Sequence, residues 1–232
     1  MQSLSIVIPV YNEEKTLLNV LNKVKKLDSI CELEVIIVND GSSDKSKEII
    51  NDNENLYTKA IHLKKNSGKG KAVIEGIKNC NLEYILIQDA DLEYDPNDIK
   101  VFLDENKKFN YDLIMGSRFI GPRRSVLHFW HMLGNKFITF IFNFLNNTTF
   151  TDIYCCYCMF RKDSIDVKNL KCNNWGQQAE ILTYVVNKNS KIFEIGVNYH
   201  GRTYKEGKKI RYYDVFSVIY WIFMTKIKKN FV

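Results

Sequence analysis

The sequence lacks a hydrophobic run that is long enough to cross a membrane. The apolar stretch Val126–Leu145 is interrupted by two histidines, two asparagines and a lysine. A second stretch, Val215–Met224, has only about half of the roughly 20 residues that a transmembrane helix needs. Residues 1–5 carry no basic side chain, and the apolar run Ile6–Val10 is short. We therefore expect neither a transmembrane span nor a secretory signal.

Disulfide bridges and a thiolate metal site are not expected either. Six cysteines without a secretory signal indicate reduced thiols. Cys155, Cys156 and Cys158 lie close together, but a thiolate zinc site usually needs a second cluster, and Cys172 stands alone. We interpret the cysteines as small buried hydrophobic side chains. Repeats and low-complexity tracts are also absent, and 232 residues favour one domain with room for a short appendage.

Arginine is scarce, with six residues against 27 lysines. All six lie between positions 118 and 211, which indicates sites that need a planar, bidentate fork for phosphate. The net charge of +6 arises in residues 201–232, which hold eight basic and two acidic side chains. The first 200 residues hold 25 of each sign. Aromatic residues near these cations could suit nucleic acid, but a base-reading motif is missing, so we expect no nucleic-acid partner.

Short apolar runs alternate with amphipathic helical patterns through the first half of the chain. This alternation predicts an α/β fold with a mostly parallel central sheet and helices on both faces. Polar clusters follow several of the strands, and ligands of such sheets bind beyond the carboxyl ends of the strands. The site is therefore expected at that edge. The predicted strands are Leu4–Val10, Leu33–Val38, Ala60–Leu63, Tyr84–Gln88 and Asp112–Met115.

Three carboxylates alternate directly after the fourth predicted strand. Asp89, Asp91 and Glu93 would lie on one face of an extended backbone, where they repel one another. A hard divalent cation binds such oxygen ligands, and diphosphate oxygens can complete its coordination. The alternative is a solvated acidic turn, for which Asp95-Pro96 supplies suitable residues.

Two further segments have the composition of nucleotide-binding loops. Asp40 follows a buried strand and could accept hydrogen bonds from a base or ribose, although Gly41–Ser43 also suits a turn or helix cap. Gly68–Lys71 resembles a phosphate-binding loop but is not a Walker A sequence, because Ala72 stands where Ser or Thr belongs. A nucleotide could still lie near the N-terminus of the helix that follows.

Several segments, in order from about residue 3 to 215, carry a family resemblance. They are Ser5–Glu14, Val38–Asp44, Gln88–Glu93, Gly116–Phe119 and His200–Ile210. Together they resemble glycosyltransferase family 2. More narrowly, the chain is similar to the dolichol-phosphate (polyprenyl-phosphate) mannosyltransferase group, whose closing motif the last segment resembles.

The resemblance implies a GT-A fold, which we assign to residues 1–211, followed by an amphipathic basic helix in residues 212–232. It implies an inverting, metal-dependent transfer of a hexose from a nucleoside diphosphate sugar of the GDP-mannose or UDP-glucose type. The implied acceptor is a polyprenyl phosphate at the cytoplasmic face of a membrane, and the protein would be peripheral there.

The resemblance also implies roles for individual residues. Asp91 and Glu93 would ligate Mg²⁺ or Mn²⁺, and Asp89 and Ala90 would continue the donor pocket. The residues implied to hold the nucleoside are Pro9, Tyr11, Glu13, Val38 and Asp40. Those implied to meet phosphates of donor or acceptor are Arg118, Arg202 and Lys208. If the acceptor is a hydroxyl, a general base is needed, and Asp152 is the candidate.

Two departures from the family pattern keep alternatives open. Tyr154 and Cys158 occupy a stretch where related bacterial sequences often have Glu and Lys, and Gln178 stands where relatives tend to have an acid. These changes remove charge near the expected acceptor side. The alternatives are transfer to a non-lipid hydroxyl, a nucleotide-sugar-binding protein with reduced activity, and a nucleotidyltransferase.

Two amphipathic helices are candidates for contact with a membrane surface. Val126–Leu145 and the C-terminal segment are rich in aromatic residues, and basic residues lie nearby. Lys226, Lys228 and Lys229 would face anionic lipids. The alternative is that both helices pack on the core of the protein.

Overall fold

The computed structural model describes residues 2–121, 129–202 and 214–230. Within these ranges the strands form one seven-stranded sheet with the order β3-β2-β1-β4-β6-β5-β7. Its strands are β1 (Ser3–Val10), β2 (Glu32–Asn39), β3 (Lys59–His62), β4 (Tyr84–Ile87), β5 (Leu113–Ser117), β6 (Cys158–Arg161) and β7 (Ile192–Gly196). The α-helices are α1 (Leu17–Lys25), α2 (Ser46–Asp52), α3 (Lys69–Lys78), α4 (Ile99–Phe109), α5 (Phe129–Asn146), α6 (Gln177–Val185) and α7 (Asp214–Asn230).

The sheet is parallel except at one strand. β1 pairs in parallel with β2 and β4, β2 with β3, and β5 with β7. β6 lies between β4 and β5 and is antiparallel to both. The central strands are nearly continuous apolar runs because helices cover both of their faces, and Ile6, Val7 and Ile8 are fully buried. The predicted α/β class with a mostly parallel sheet is therefore confirmed.

The predicted strands are present with shifts of at most two residues at their ends, whereas β6 and β7 were not predicted. β6 has four residues and follows a segment without regular structure, so its sequence gives little periodicity. In the second half of the chain, the strands of the sheet are separated by long segments. The register of β6 against β4, which pairs Tyr84 with Arg161, depends on these long-range contacts.

The sheet topology brings the predicted polar clusters to one edge. In the parallel pairs, Val10 lies opposite Asn39, and Val7 lies opposite Ile87. The segments that follow β1, β2 and β4 therefore leave the sheet side by side. These segments contain Glu13, Asp40 and the Asp89–Glu93 carboxylates.

Helices α5 and α7 lie where the sequence predicted amphipathic helices. The described part of the first begins at Phe129, and residues 126–128 lie outside the described residues. α7 packs against α6 and α5 and buries Val218, Ile222 and Thr225. Among the described helices, none combines the length and the apolar character that a membrane crossing requires.

A close approach of α3 to β1 gives a stability prediction. A Cβ atom at Gly76 would lie 2.3 Å from Cγ1 of the buried Val7, whereas a Cβ at Gly134 of α5 meets nothing within 4 Å. We expect Gly76→Ala to lower the free energy of unfolding by about 1–3 kcal/mol through overpacking. Gly134→Ala, the matched control, should raise it by up to about 1 kcal/mol through helix propensity. Urea unfolding measures both, and equal values for the two variants would contradict this packing.

Candidate active site

A cavity of about 670 Å³ opens at the carboxyl edge of the parallel strands. This volume lies within the range of small-molecule sites. Most of the predicted site residues line it, namely Pro9, Tyr11, Glu13, Asp40, Asp89, Ala90, Asp91, Glu93, Arg118 and Arg202. Val38 and Asp152 are buried behind the wall. Lys208 lies outside the described residues.

The wall opposite the strand ends is formed by helices. Trp130, His131 and Ile138 of α5 and Val215 and Val218 of α7 line the cavity there. The charged lining residues therefore come mainly from the strand ends, whereas those from α5 and α7 are largely apolar, with His131 and Asn135 as polar members.

Asp40 fixes the loop that begins α3. Its buried carboxylate accepts hydrogen bonds from the backbone N–H groups of Ser67 at 2.8 Å and Gly68 at 2.9 Å. Burial raises the pKa of Asp40, although these two hydrogen bonds act in the opposite direction. Gly68 has a φ of +97°, and a Cβ there would lie 2.4 Å from the carbonyl oxygen of Asn173, so glycine is required. Asp40 thus orders the loop as well as lining the cavity.

Lys69 is a cation in the cavity wall to which the sequence analysis gave no individual role. Its Nζ lies 2.6 Å from Asp89 Oδ1 and 5.7 Å from the centre of the Trp175 ring. Burial alone would lower the pKa of Lys69, but the Asp89 carboxylate outweighs this effect and raises it. Lys69 is therefore charged at neutral pH. The resemblance of Gly68–Lys71 to a phosphate-binding loop pointed to this segment, but the sequence did not show which of its two lysines faces the site.

Arg202 lies among three carboxylates. Its Nη2 atom donates to Asp91 Oδ2 at 2.7 Å, and its Nη1 atom donates to Glu13 Oε2 at 3.1 Å. The backbone N–H of Arg202 donates to Glu93 Oε1 at 2.8 Å. Because Glu13 follows β1 and Asp91 follows β4, this side chain joins the ends of two neighbouring strands to the later part of the chain.

The turn after β4 holds Asp91 and Glu93 together. The backbone N–H of Glu93 donates to Asp91 Oδ1 at 3.0 Å, and Leu92 between them has a φ of 60°. A leucine in this left-handed region is strained, which is typical of turns at functional sites. Burial, Asp89 and Glu93 raise the pKa of Asp91 to about 7, although Arg202 acts to lower it. The turn therefore concentrates negative charge that a cation would relieve.

The donor set fits a hard divalent cation. Among residues 2–121, 129–202 and 214–230, no group of three or more His, Cys, Asp or Glu side chains is arranged as a complete metal site. Mg²⁺ commonly takes only one or two protein carboxylates and obtains its other ligands from substrate phosphates and water. Asp91 and Glu93 could fill that role, since their oxygens are held at the cavity wall.

Arg118 and Asp152 form a buried bidentate ion pair. Arg118 Nε and Nη2 donate to the two oxygens of Asp152 at 2.7 and 2.8 Å, and the Asp152 side chain is fully buried. The Arg118 guanidinium also lies 5.3 Å from the ring centre of Tyr199, whose O–H donates to Glu93 Oε2 at 3.0 Å. This geometry gives Asp152 a positioning role towards Arg118. The catalytic roles assigned to both residues stay predictions.

Comparison with known proteins identifies the family. The sequence profile of Glycosyl transferase family 2 matches residues 5–167, which is most of the chain. The chain belongs to glycosyl transferase family 2. It has the GT-A fold, and the predicted family membership is confirmed.

Two curated relatives show how far the sequence similarity extends. Poly-beta-1,6-N-acetyl-D-glucosamine synthase of Staphylococcus epidermidis is 37% identical over 129 residues, which cover 54% of this chain and 31% of the synthase. The chain thus spans about a third of that relative's length. Dolichyl-phosphate beta-glucosyltransferase ALG5A of Trichomonas vaginalis is 29% identical over 214 residues, covering 85% of this chain and 65% of that protein.

A solved structure resembles the fold over nearly the whole chain. Glucosyl-3-phosphoglycerate synthase of Mycobacterium tuberculosis in complex with UDP matches with a TM-score of 0.71 and 12% identity. The match covers 98% of this chain and 79% of the synthase. Another structure of that synthase contains Mn²⁺, UDP and phosphoglyceric acid, and it matches with a TM-score of 0.68.

Two of the positions that depart from the family 2 pattern, Tyr154 and Gln178, contribute uncharged side chains to the cavity wall. Tyr154 lines the cavity, and its O–H donates to the carbonyl oxygen of Trp175 at 3.0 Å. Gln178 also lines it and donates to the carbonyl oxygen of Cys155 at 3.2 Å. Cys158 is buried in β6 and does not line the cavity. Neutral side chains that hydrogen-bond to the backbone therefore occupy both wall positions.

Proposed function

We propose that this family 2 enzyme transfers a hexose from a nucleoside diphosphate sugar to a polyprenyl phosphate, with inversion at the anomeric carbon. The observation that carries the proposal is the cavity itself, which joins a charged end at Lys69, Asp91 and Arg202 to an apolar wall on α5 and α7. The similarity to a dolichyl-phosphate glucosyltransferase over 85% of this chain supports the lipid acceptor.

The donor is proposed to occupy the charged end. Pro9, Tyr11 and Asp40 line the cavity at the ends of β1 and β2, where family resemblance predicts the nucleoside. The Gly68 loop lies beside them because Asp40 holds its backbone N–H groups. The UDP found in the structurally similar M. tuberculosis synthase supports a nucleoside diphosphate there.

The leaving diphosphate is proposed to meet cations at the turn after β4. A bound Mg²⁺ or Mn²⁺, held by Asp91 and Glu93, would stabilise the negative charge that develops on the leaving group. Lys69 and Arg202 bring two further positive charges to this part of the wall. Preorganised charges of this kind are usually the largest contribution to catalysis.

The acceptor is proposed to attack without a strong general base. A polyprenyl phosphate is already anionic near neutral pH, so its oxygen needs no deprotonation. The one residue considered as a base fits this requirement, since Asp152 is buried in its ion pair with Arg118. In a single displacement, the phosphate oxygen forms the new bond to the anomeric carbon as the nucleoside diphosphate departs.

A hydroxyl acceptor is the second candidate. It would need a base, and His131 of α5 is a lining residue of the same cavity as the carboxylate cluster. Imidazole is a common general base near neutral pH. Transfer to a hydroxyl compound but not to a lipid phosphate would favour this candidate.

The lipid acceptor is proposed to be reached at a membrane surface on the cytoplasmic side. Exposed apolar side chains recur at helical spacing along α5, at Trp130, Leu133, Phe137, Phe140 and Phe144. A second stripe runs along α7, at Phe216, Tyr220, Phe223 and Ile227. Amphipathic helices of this kind bind in the plane of the membrane interface. Trp130 also lines the cavity, so the first stripe begins at the cavity wall.

One lysine predicted to face lipid has a different position. Lys229 donates to the carbonyl oxygens of Thr183, Tyr184 and Val186 at the C-terminal end of α6. Free carbonyls at a helix end attract cations, so this lysine caps α6 and is half-buried. Lys226 donates to Asn146 Oδ1 of α5 at 3.1 Å. Of the three lysines, Lys228 alone is exposed, and the prediction for Lys229 is wrong.

A transfer assay tests the proposed function. Purified protein with Mn²⁺ is incubated with polyprenyl phosphate and a panel of UDP- and GDP-sugars, and glycolipid and nucleotide products are measured. We expect glycolipid and nucleoside diphosphate from at least one donor, and loss of more than about 100-fold in turnover in Asp91→Asn. Release of inorganic diphosphate would instead indicate a nucleotidyltransferase. Donor binding without turnover would indicate a binding protein, and neither binding nor transfer would refute the proposal.

A second experiment uses Arg202 to test the metal site. Arg202→Ala leaves the carboxylates of Glu13, Asp91 and Glu93 without this cation, so we expect Mn²⁺ to bind roughly tenfold more tightly in the absence of nucleotide. Turnover should still fall, because the diphosphate loses a positive partner. Arg161→Ala, which removes a partly exposed ion pair with Asp163, is the control. Calorimetric titration with Mn²⁺ provides the measurement, and equal affinity in all three proteins would contradict this arrangement.

Vesicle binding tests the membrane surface. Phe140, Phe144 and Phe216 are 66%, 79% and 75% exposed, so replacing all three with serine should not disturb the core. We expect the triple variant to bind vesicles of phosphatidylcholine and phosphatidylglycerol at least about tenfold more weakly, because inserted phenylalanines lose their contact with lipid. Phe109→Ser, at a residue of α4 that is 55% exposed, should bind like the wild type. Unchanged binding of the triple variant, or none by the wild type, would argue against membrane contact.

A further inference from the structure

One buried amide oxygen, on a residue that lines the cavity, has no hydrogen-bond partner among the described residues. It is Oε1 of Gln177, a residue that is only 4% exposed and stands at the beginning of α6. Nearly all buried polar atoms in folded proteins have a partner, so each exception calls for a ligand or another specific cause. A cavity that holds a substrate provides such a cause.

The neighbours of Gln177 on α6 differ from it, because protein groups satisfy them. Gln178 Nε2 donates to the carbonyl oxygen of Cys155 at 3.2 Å. The Glu180 carboxylate accepts hydrogen bonds from the backbone N–H groups of Lys171 and Cys172, both at 2.9 Å. The missing partner is therefore specific to the side chain of Gln177.

Gln177 directly follows two residues that contact different parts of the structure. On one side, Trp175 packs beneath Lys69, which pairs with Asp89 at the charged end. On the other side, Gly176 contacts α7 so closely that a Cβ there would lie 2.5 Å from Trp221 Cδ1. The hexose is the part of the donor that lies between the diphosphate and the acceptor. We therefore expect the hexose to be the part of the donor that lies nearest to Gln177.

We infer that the side-chain amide of Gln177 binds a hydroxyl group of the transferred hexose and contributes to the choice of donor sugar. This inference rests on the proposed function. An amide group can accept a hydrogen bond through its oxygen or donate one through its nitrogen, and a sugar hydroxyl can do both. A site built to hydrogen-bond a hydroxyl also rejects analogues that lack it, because its own polar group is then left unpaired.

The test compares the affinity of the sugar nucleotide with that of the nucleoside diphosphate alone. Calorimetric titrations with both ligands, in the presence of Mn²⁺, are made on the wild type and on Gln177→Leu. We expect the affinity for the sugar nucleotide to fall about 5- to 30-fold in Gln177→Leu, because the hydroxyl loses its partner. The affinity for the nucleoside diphosphate should not change, because it has no hexose.

A matched control comes from α7. Thr225 Oγ1 is the other buried side-chain oxygen without a partner in the described part of the chain, and Thr225 does not line the cavity. Thr225→Val should therefore leave both affinities unchanged. Gln177→Leu should unfold at the same or a higher urea concentration than the wild type, because it removes a buried unpaired oxygen. Gln177→Met, of similar length, provides a second variant if the leucine variant folds poorly.

Deoxy donors identify the hydroxyl and separate the possible failures. One deoxy sugar nucleotide should bind more weakly than its parent to the wild type and equally to Gln177→Leu. If the wild type binds and transfers the sugar but both Gln177 variants keep its affinity, the inference is overturned and the proposed function stands. If the wild type binds no sugar nucleotide more tightly than the corresponding nucleoside diphosphate, the inference is also overturned. If the wild type binds no nucleotide at all, both the inference and the proposed function are overturned.

Discussion

The convergence of carboxylates at the carboxyl edge of the sheet is the constraint on which the site depends. Glu13 follows β1, and Asp91 and Glu93 follow β4, so parallel pairing of these strands brings the three acids together. Their mutual repulsion must be offset, and Arg202 does so through both its guanidinium and its backbone N–H. A side chain that is distant in sequence therefore joins two strand ends. The carboxylate oxygens of this acidic turn also suit a hard cation, which could in turn bind a diphosphate.

A second connection runs through the backbone and joins the donor end of the cavity to α6. Asp40 orders the loop at Gly68, and that glycine fits closely against Asn173, in the segment just before α6. Lys69, the next residue, faces Trp175 in the same segment. The position of Gln177 is thus set by contacts that begin at the end of β2. Substitutions in this loop should therefore shift the segment before α6, which contains Trp175, as well as the loop itself.

The sequence predicted the strand-end part of the cavity more fully than the helical part, for a physical reason. Alternation of strands and helices implies a parallel sheet, and this topology places Asp40, Asp89 and Asp91 at one edge without knowledge of tertiary contacts. By contrast, the antiparallel β6, the Lys229 cap on α6 and the buried ion pair of Asp152 all depend on packing between distant segments. The unpaired oxygen of Gln177 is likewise visible only once burial is known. Local periodicity does not contain that information.

The contrast between charged and apolar parts of the cavity wall would allow one site to accept both a nucleoside diphosphate sugar and a lipid phosphate. With a divalent cation bound at Asp91 and Glu93, the part of the wall that holds Lys69 and Arg202 would attract phosphates. Ile138, Val215 and Val218 on the helical wall offer no partner for an ion. The neutral Tyr154 and Gln178 extend this uncharged wall by hydrogen-bonding to the backbone. A lipid phosphate would therefore enter with its chain towards α5 and α7 and its anionic head towards the cations. That orientation presents its phosphate oxygen to the sugar, so the wall itself would set the direction of attack.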